Sequence, residues 1–313
     1  MDVNKNRNEL YLKSIIAIVD DMINKSSNIL IQMAISGDRK KIHNPRHEDN
    51  FLSEIDMKLH SEYRVKMSEV FPSFIYASEE GDPQVYPTHH KGLPEFLIIV
   101  DPLDTSELAI RGLCGYTHIL VYSLKEQAPI VSVVGDMFHQ VRFFYAFRDD
   151  RGKDNAFLMT RDGIVSKIKS SKEKYLHKAL VTNYLMRPRE RFSVIAKQQA
   201  FLKSLARKNE KGNEIGRIGV DFGSIGLCHI AAGFTDGMIE IAKGFKLWDL
   251  IPGHYILHAA GGFVSSLDGK KIPLDLNFHN FSNIKLSMEK RKKFVAAGNM
   301  SLLELLLESL QNC

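Results

Sequence analysis

Two aspartates and two hydroxyl residues stand directly after an apolar run in this chain. The segment reads Leu97-Ile98-Ile99-Val100-Asp101-Pro102-Leu103-Asp104-Thr105-Ser106. The apolar run has no polar alternation, which predicts a fully buried strand, and Pro102 is expected to end it because proline has no N–H for a sheet ladder. Asp101 and Asp104 would then flank a tight turn, with the Leu103 carbonyl oxygen between them. Hard oxygen donors in this arrangement are typical ligands of Mg²⁺.

The two hydroxyl residues extend this prediction to an anion. Thr105 or Ser106 can cap a helix that starts there, and the free N–H groups of its first turn would suit a phosphate at the same point. A plainer interpretation is a helix-capped turn after a core strand, in which both aspartates serve only as turn and cap formers. The segment alone leaves both interpretations open.

A second acidic pair, Glu79-Glu80, follows another predicted strand at residues 71–78. If the two strands are neighbours, their carboxyl ends bring Glu79 beside Asp101 and Asp104. Carboxylates crowded in this way repel one another unless cations neutralise them. The alternative is an acidic hairpin tip in solvent.

Two further acids stand at predicted helix starts. Asp56 lies three residues after Ser53, which resembles a capping box, and this spacing favours a cap over a catalytic carboxylate. Asp249 follows Trp248, the only tryptophan, and would complement the dipole of its helix. Asp249 could instead be the distant carboxylate that closes a metal site across the domain junction.

The order of predicted elements divides the chain into an α+β half, residues 1–170, and an α/β half, residues 171–313. The first half carries helices at 9–36 and 53–70, an exposed loop at 37–50, a loop at 81–94, and an antiparallel meander of strands between 117 and 160. The second half alternates strands and helices, including one helix at 189–208. The polar, lysine-rich stretch 166–178 is the predicted junction.

Bulk composition is that of an ordinary globular enzyme, with 313 residues, 44% hydrophobic and 25% charged, and a net charge of +5. Its basic clusters contain no interleaved aromatic residues, which favours solvated faces over a nucleic-acid interface. These clusters are residues 39–41, 167–174 and 290–293. We therefore expect a small phosphate ester rather than a nucleic acid as partner.

Cysteine use and hydropathy indicate the compartment. Cys114, Cys228 and Cys313 are odd in number and far apart, which fits neither a disulfide framework nor a cysteine zinc site. We therefore expect a reducing cytoplasm. No apolar run reaches the roughly 18 residues of a membrane span, and none resembles a signal peptide, so we expect no membrane attachment.

Four separated pieces together resemble one known family. The pieces are Glu79-Glu80, Asp101-Pro102-Leu103-Asp104, Trp248-Asp249 and Ala259-Ala260-Gly261-Gly262. In this order and spacing they look like the inositol monophosphatase superfamily of Mg²⁺-dependent, lithium-sensitive phosphatases, which includes fructose-1,6-bisphosphatases and bisphosphate nucleotidases. The resemblance implies a layered αβαβα sandwich and a homodimer.

The resemblance also implies roles for individual residues. The implied ligands of two or three Mg²⁺ ions are Glu79, Asp101, the Leu103 carbonyl, Asp104 and Asp249. Asp56 and Ser106 match the pair that orients the attacking water, with Glu79 beside them at the catalytic centre. Ser106, Asp249 and, more weakly, Glu240 match substrate contacts.

Two positions depart from the family pattern. Thr105 stands where the family has glycine, and so places a side chain where backbone approaches phosphate or metal. Glu107 puts an acid at the start of the helix that should receive an anion. Either Glu107 faces away, or it changes the phosphate environment or the metal affinity.

The predicted function is Mg²⁺-dependent hydrolysis, by metal-activated water, of inositol monophosphate or another polyol or sugar phosphate. One alternative is a 3'(2'),5'-bisphosphate nucleotidase acting on adenosine 3',5'-bisphosphate. Another, motivated by Thr105 and Glu107, is a catalytically weak relative that binds metal and phosphate. An aspartyl-phosphate phosphatase would need two aspartates separated by one position, whereas two residues separate Asp101 from Asp104.

Overall fold

The computed structural model describes residues 7–38, 40, 42, 52–186 and 188–310. Most of the predicted loop at 37–50 lies outside these residues, as does Cys313. The chain forms two compact units, and the first comprises residues 1–166 together with 275–289. The second comprises residues 167–274 and 290–313. The segment 275–289 therefore packs with the first unit, although it follows most of the second in sequence.

The elements follow one another as helices and strands of ordinary length. Up to residue 167 they are α1 (Arg7–Ser36), α2 (Glu54–Val70), β1 (Phe74–Ser78), β2 (Gly81–Tyr86), β3 (Phe96–Asp104), α3 (Ser106–Ala109), β4 (Tyr116–Ser123), β5 (Ala128–Asp136), β6 (Val141–Arg148), β7 (Asp154–Thr160) and β8 (Val165–Lys167). After a 3₁₀ turn (Leu176–Lys178) they are β9 (Leu180–Asn183), α4 (Pro188–Ala196), α5 (Gln199–Leu205), β10 (Arg217–Val220), α6 (Gly223–Ala231), β11 (Gly237–Phe245), α7 (Leu247–Ala259), β12 (Phe263–Ser265), α8 (Phe281–Glu289), β13 (Lys292–Ala297) and α9 (Met300–Ser309).

An eight-stranded sheet of order β2-β1-β3-β4-β5-β6-β7-β8 forms the first unit's framework. β1 and β3 run parallel, and β4 to β7 form the predicted antiparallel meander. β3 pairs antiparallel with β4 and so extends it. Helices α1 and α2 pack on this sheet through one apolar core. Gly135 of β5 permits the approach of α1, because a Cβ there would lie 2.8 Å from the side chains of Val19 and Ile23.

The prediction that Pro102 ends its strand is wrong, because β3 continues to Asp104. The pairing of β3 with β4 shifts register between Asp101 and Asp104, so β3 carries one extra residue there. A bulge of this kind leaves a residue outside the ladder, and the missing N–H of proline then costs no ladder hydrogen bond.

Other departures from the sequence-based expectation have equally local causes. Residues 81–86 form strand β2 rather than a loop, and Pro83 is tolerated because β2 is an edge strand. The helix predicted at 189–208 is divided into α4 and α5. Between them the N–H groups of Lys197 and Gln198 bond to carbonyls three residues back, which tightens and ends the first helix. Helix α8 was not predicted.

A five-stranded sheet of order β10-β9-β11-β13-β12 forms the second unit's framework. β10, β9 and β11 are parallel, whereas β13 is antiparallel to both of its neighbours. Helices α4 and α6 contact β11, α7 contacts β12, and α9 contacts β13. Both units therefore place helices on mixed sheets in a layered α/β arrangement, which confirms the predicted fold class. Among the described helices, none has the length and apolar character needed to cross a membrane.

Helix α7 carries Asp249, and its close contact with α6 holds it in place. The Ser224 hydroxyl donates to the Asp249 carbonyl oxygen (2.8 Å) and accepts the N–H of Gly253 (2.9 Å). A Cβ at Gly253 would lie 2.3 Å from the Ser224 carbonyl oxygen, so only glycine permits this approach. The two helices consequently form one rigid support within the second unit.

We expect Gly253→Ala to lower the free energy of unfolding by about 1 to 3 kcal/mol, because the added methyl forces α6 and α7 apart. Urea unfolding followed by the fluorescence of Trp248, which is buried in the same helix, measures this loss. Gly219→Ala is the matched control, since a Cβ there meets nothing closer than 3.6 Å. Equal midpoints for the two variants would contradict the packing account.

Candidate metal centre

The bulge in β3 turns Asp101 and Asp104 toward one place. Side chains three residues apart in a regular strand point to opposite faces. Asp101 pairs with His118 of β4 and Asp104 pairs with Tyr116, so three steps along β3 match two along β4. The extra residue restores a shared face, and oxygens of the two carboxylates approach within 4.8 Å. Asp101 is buried, and its Oδ1 accepts the Leu103 N–H (3.2 Å).

His118 completes this cluster from the neighbouring strand. Its ring is fully buried, with Nε2 3.4 Å from Asp104 Oδ2 and Nδ1 3.9 Å from Asp101 Oδ2. A ligand atom from each of the three residues lies within 4.8 Å of the others. His118 was not predicted from the sequence. Its only signal in the sequence is a histidine within an apolar part of the predicted meander, and the register of β3 and β4 was needed to interpret it.

Glu79 lies where the sequence predicted. β1 is the parallel neighbour of β3, with Ser78 opposite Val100, and the Glu79 N–H donates to the Val100 carbonyl oxygen (3.2 Å). A carboxylate oxygen of Glu79 comes within 4.8 Å of one of Asp101. The two strands are therefore neighbours, as the prediction for Glu79 required.

The donor set suits a divalent cation. Carboxylate oxygens are the ligands of hard divalent ions, and an imidazole nitrogen is a ligand of first-row transition ions. Grouping ionised carboxylates in a buried place costs free energy unless opposite charge compensates them. The residues present therefore fit a divalent metal, with Asp101 and Asp104 at its centre.

Asp56 serves two neighbours at once. It is fully buried at the start of α2, where its Oδ2 accepts the Ser53 N–H (2.7 Å) and the Ser53 hydroxyl (2.5 Å). The predicted cap is therefore confirmed. Its other oxygen, Oδ1, accepts the Ser106 hydroxyl at 2.6 Å, so the structure also brings together the predicted pair.

Burial raises the pKa of Asp56 above its ordinary value, although the hydrogen bonds from Ser106 and Ser53 act in the opposite direction. The Ser106 oxygen also lies 2.8 Å from the Leu103 carbonyl oxygen. Ser106 therefore connects the Asp56 carboxylate to the backbone of the Asp101–Asp104 turn. The helix that follows, α3, has only four residues.

Thr105 adopts a left-handed backbone conformation, with φ +63° and ψ +36°. This region favours glycine and is strained for a β-branched residue. The Thr105 hydroxyl lies 2.5 Å from the Asp104 carbonyl oxygen and 3.4 Å from that of Cys114. Glu107 pairs with Arg111 at 3.1 Å on the exposed side of α3, so of the two predicted possibilities it faces solvent.

The remaining predicted residues, Asp249 and Glu240, belong to the second unit. Asp249 lies in the first turn of α7, where its Oδ2 accepts the Lys246 N–H (3.3 Å). Glu240 is buried in β11, and its Oε1 accepts the N–H groups of Ala242, Lys243 and Gly244 at 3.0 to 3.2 Å. Its Oε2 lies 3.5 Å from Arg191 Nε. Glu240 thus holds the irregular part of β11, where the pairing with β13 shifts register between Glu240 and Phe245. Its substrate contact stays a prediction.

Comparison with known proteins gives a consistent family match. The sequence profile of the inositol monophosphatase family matches residues 14–313. The Nus factor SuhB of Pasteurella multocida is 25% identical over 173 residues, which cover 55% of this chain and 57% of that protein. A bifunctional NADP phosphatase/NAD kinase of Methanococcus maripaludis is 24% identical over 220 residues, covering 65% of this chain and 35% of that protein. The chain thus spans about half or less of these relatives.

Solved structures give the same fold. The crystal structure of an inositol monophosphatase–fructose 1,6-bisphosphatase superposes with a TM-score of 0.67 and 16% sequence identity, covering 95% of this chain and 98% of that one. At this identity the likeness establishes the fold alone. Divalent metals are general in the matched family, in agreement with the donor set described above.

We expect Thr105→Gly to be about 0.5 to 1 kcal/mol more stable than Thr105→Ala. Glycine relieves the strain of the left-handed backbone, and this gain in free energy exceeds the extra entropic cost of ordering a glycine on folding. Alanine is the matched control, since it removes the same hydroxyl but keeps the strained Cβ. Urea midpoints from circular dichroism measure the difference. Equal midpoints would show that the backbone at residue 105 relaxes without cost.

The raised pKa of Asp56 makes metal-free stability dependent on pH. Protonated Asp56 contributes to folding stability in full below the ordinary aspartate pKa of about 3.9. This contribution is lost as the pH rises through the higher folded-state pKa. In EDTA, wild-type protein should therefore lose stability relative to Asp56→Asn over a range of pH that begins at about 4. Urea unfolding across this range measures the difference, and a constant or opposite trend would contradict it.

Proposed function

The chain belongs to the inositol monophosphatase family, and from that premise we propose that it hydrolyses a small phosphate monoester at the Asp101–Asp104 turn. The proposed cofactor is Mg²⁺. The proposed ligands are Glu79, Asp101, the Leu103 carbonyl, Asp104 and, from the second unit, Asp249. The family resemblance is what adds Asp249 to this set.

One observation carries the proposal, namely the position of the Ser106 hydroxyl. It bonds to Asp56 at 2.6 Å and lies 2.8 Å from the Leu103 carbonyl oxygen of the turn. A carboxylate and hydroxyl joined in this way, beside a group of candidate metal ligands, form a relay that can take a proton from water. A cap alone would not require the contact between Asp56 and a residue 50 positions away.

A bound divalent cation would supply charge stabilisation for the phosphate oxygens and lower the pKa of water. The chain's own residues orient that water and accept its proton. Ser106 Oγ accepts a hydrogen bond from the attacking water while it donates its own proton toward Asp56 Oδ1. The burial that raises the pKa of Asp56 makes it a better proton acceptor than an exposed aspartate. Attack is direct, so no side chain becomes phosphorylated.

The proposed substrate is inositol monophosphate or another polyol or sugar phosphate. The name of the structural neighbour, an inositol monophosphatase–fructose 1,6-bisphosphatase, supports this class. Adenosine 3',5'-bisphosphate is the alternative substrate, and the name of one relative, an NADP phosphatase, supports a nucleotide phosphate. We also propose lithium sensitivity, a homodimer and a reducing cytoplasm, the last supported by the free thiols of Cys114 and Cys228.

A second candidate function is binding without turnover. Thr105 adds a side chain at the turn where the family has glycine, and a relative is named a Nus factor rather than an enzyme. This candidate keeps the metal and phosphate site but loses hydrolysis. The two functions therefore differ in whether the bound phosphate ester is hydrolysed.

Phosphate release from a substrate panel separates these candidates. The panel contains inositol 1-phosphate, fructose 1,6-bisphosphate, histidinol phosphate and adenosine 3',5'-bisphosphate, each with Mg²⁺, with EDTA and with added Li⁺. The proposal requires release that depends on Mg²⁺ and is inhibited by Li⁺. No release from any substrate, with Mg²⁺ still raising the melting temperature, would favour the binding function.

We expect Asp56→Asn to lower kcat by about 10² to 10⁴-fold, because the amide accepts no proton from Ser106. Ser106→Ala should lower kcat similarly, and the double variant should lose little more, since the two residues act as one relay. Glu107→Gln is the matched control, as this exposed acid pairs only with Arg111 among the contacts of the turn described above. Steady-state kinetics measure all four, and full activity of Asp56→Asn would leave Asp56 as a helix cap alone.

A further inference from the structure

We propose that His118 Nε2 is a ligand to the cation at the Asp101–Asp104 turn, and that this site takes a first-row transition ion such as Mn²⁺ in preference to Mg²⁺. The inference rests on the proposed function for the existence of a cation site. It differs from that function in the donor set, because it adds a nitrogen to carboxylate and carbonyl oxygens. It also differs in the preferred ion, because Mg²⁺ then binds at this turn but more weakly than a transition ion.

The backbone holds His118 beside the two aspartates. His118 is the direct pairing partner of Asp101, so the two side chains share a face of the sheet. The preceding residue, Thr117, lies 2.9 Å from the hydroxyl of Tyr63 in α2. Since neighbouring residues in a strand alternate, Thr117 faces the α2 side and His118 faces the opposite one, with the carboxylates.

The distances suit a shared ion. His118 Nε2 lies 3.4 Å from Asp104 Oδ2. A charge-assisted hydrogen bond would be shorter, at about 2.7 to 2.9 Å. Two donors that each contact one metal at about 2.1 Å lie about 3.0 to 3.4 Å apart. The pair can therefore hold an ion between its atoms without rearranging the strands.

The chemistry of the donors sets the preference among ions. Mg²⁺ is bound by oxygen ligands and retains several waters. The first-row transition ions also accept an imidazole nitrogen, with an affinity that is lowest for Mn²⁺ and rises toward Co²⁺ and Zn²⁺. With Asp101 and Asp104, His118 offers two oxygens and one nitrogen within 4.8 Å. Such a mixed set gives up affinity for Mg²⁺ relative to an all-oxygen set and gains affinity for transition ions.

A competing role for His118 is to orient the carboxylates without touching the ion. Its ring would then donate N–H groups toward Asp104 and Asp101. Removal of the ring would weaken the binding of every divalent ion by the same factor. The two roles differ in whether nitrogen contacts the metal. They also differ in whether loss of the ring changes metal preference or only overall affinity.

Pulsed electron paramagnetic resonance of Mn²⁺-loaded wild-type protein tests nitrogen contact directly. We expect modulation from a coordinated nitrogen that changes when histidine is labelled with ¹⁵N, and that disappears in His118→Gln. His139→Gln is the matched control, because His139 also pairs with an aspartate, Asp136 at 2.9 Å, but is largely exposed. Absence of nitrogen modulation in the wild-type spectrum overturns the proposal and needs no variant.

Calorimetric titration with Mn²⁺ and with Mg²⁺ tests the preference. His118→Gln should weaken Mn²⁺ binding by about tenfold or more and Mg²⁺ binding by less than about threefold. Equal weakening for both ions assigns His118 the orienting role and overturns the proposal. Wild-type protein that binds neither ion refutes the proposed function itself, whereas Mg²⁺-dependent hydrolysis without nitrogen modulation refutes only the assignment of His118.

Discussion

Repulsion between the carboxylates of the buried Asp101 and the half-buried Asp104 is the constraint on which the rest of the site depends. Two negative charges at this separation and burial are unfavourable by themselves. The apolar core and the ladder hydrogen bonds of β1, β3 and β4 hold them there, and the bulge at Pro102 turns both side chains the same way. The fold thus holds the two carboxylates at a place where a bound cation would offset their repulsion. A metal site is the physical consequence of this arrangement.

The surroundings of the turn use the same residues for structure and for chemistry. Asp56 caps the start of α2 by accepting the Ser53 N–H, and it also accepts the Ser106 hydroxyl. This double use explains why a capping interpretation and a catalytic one both fit the sequence spacing. Thr105 adds local strain beside the turn, and strained backbone persists where the surrounding structure holds it firmly. Rigid support is what a relay of this kind requires, because proton transfer depends on short, fixed distances.

Local pattern was enough to predict helices α1 and α2, the meander and the group of acids at two strand ends, but not α8 or the break between α4 and α5. The neighbouring position of Glu79 and Asp101 followed from the rule that carboxyl ends of parallel strands meet at one edge. What pattern could not supply was register. The bulge depends on which residues of β3 and β4 pair, and this pairing also decides that His118 lies beside Asp101. Edge position, which allows Pro83 inside β2, is likewise set by sheet order and not by local sequence.

The measurement that tests the central claim most directly is urea unfolding of wild-type protein and Asp101→Asn, each in EDTA and in saturating Mg²⁺. Without a cation, the account predicts that Asp101→Asn is the more stable protein, because it removes one of the repelling charges. With Mg²⁺ the order should reverse, since ligand binding to the folded wild-type protein adds about 2.7 kcal/mol at a hundredfold excess over Kd. The same order of stability in both conditions would contradict a cation site at this turn.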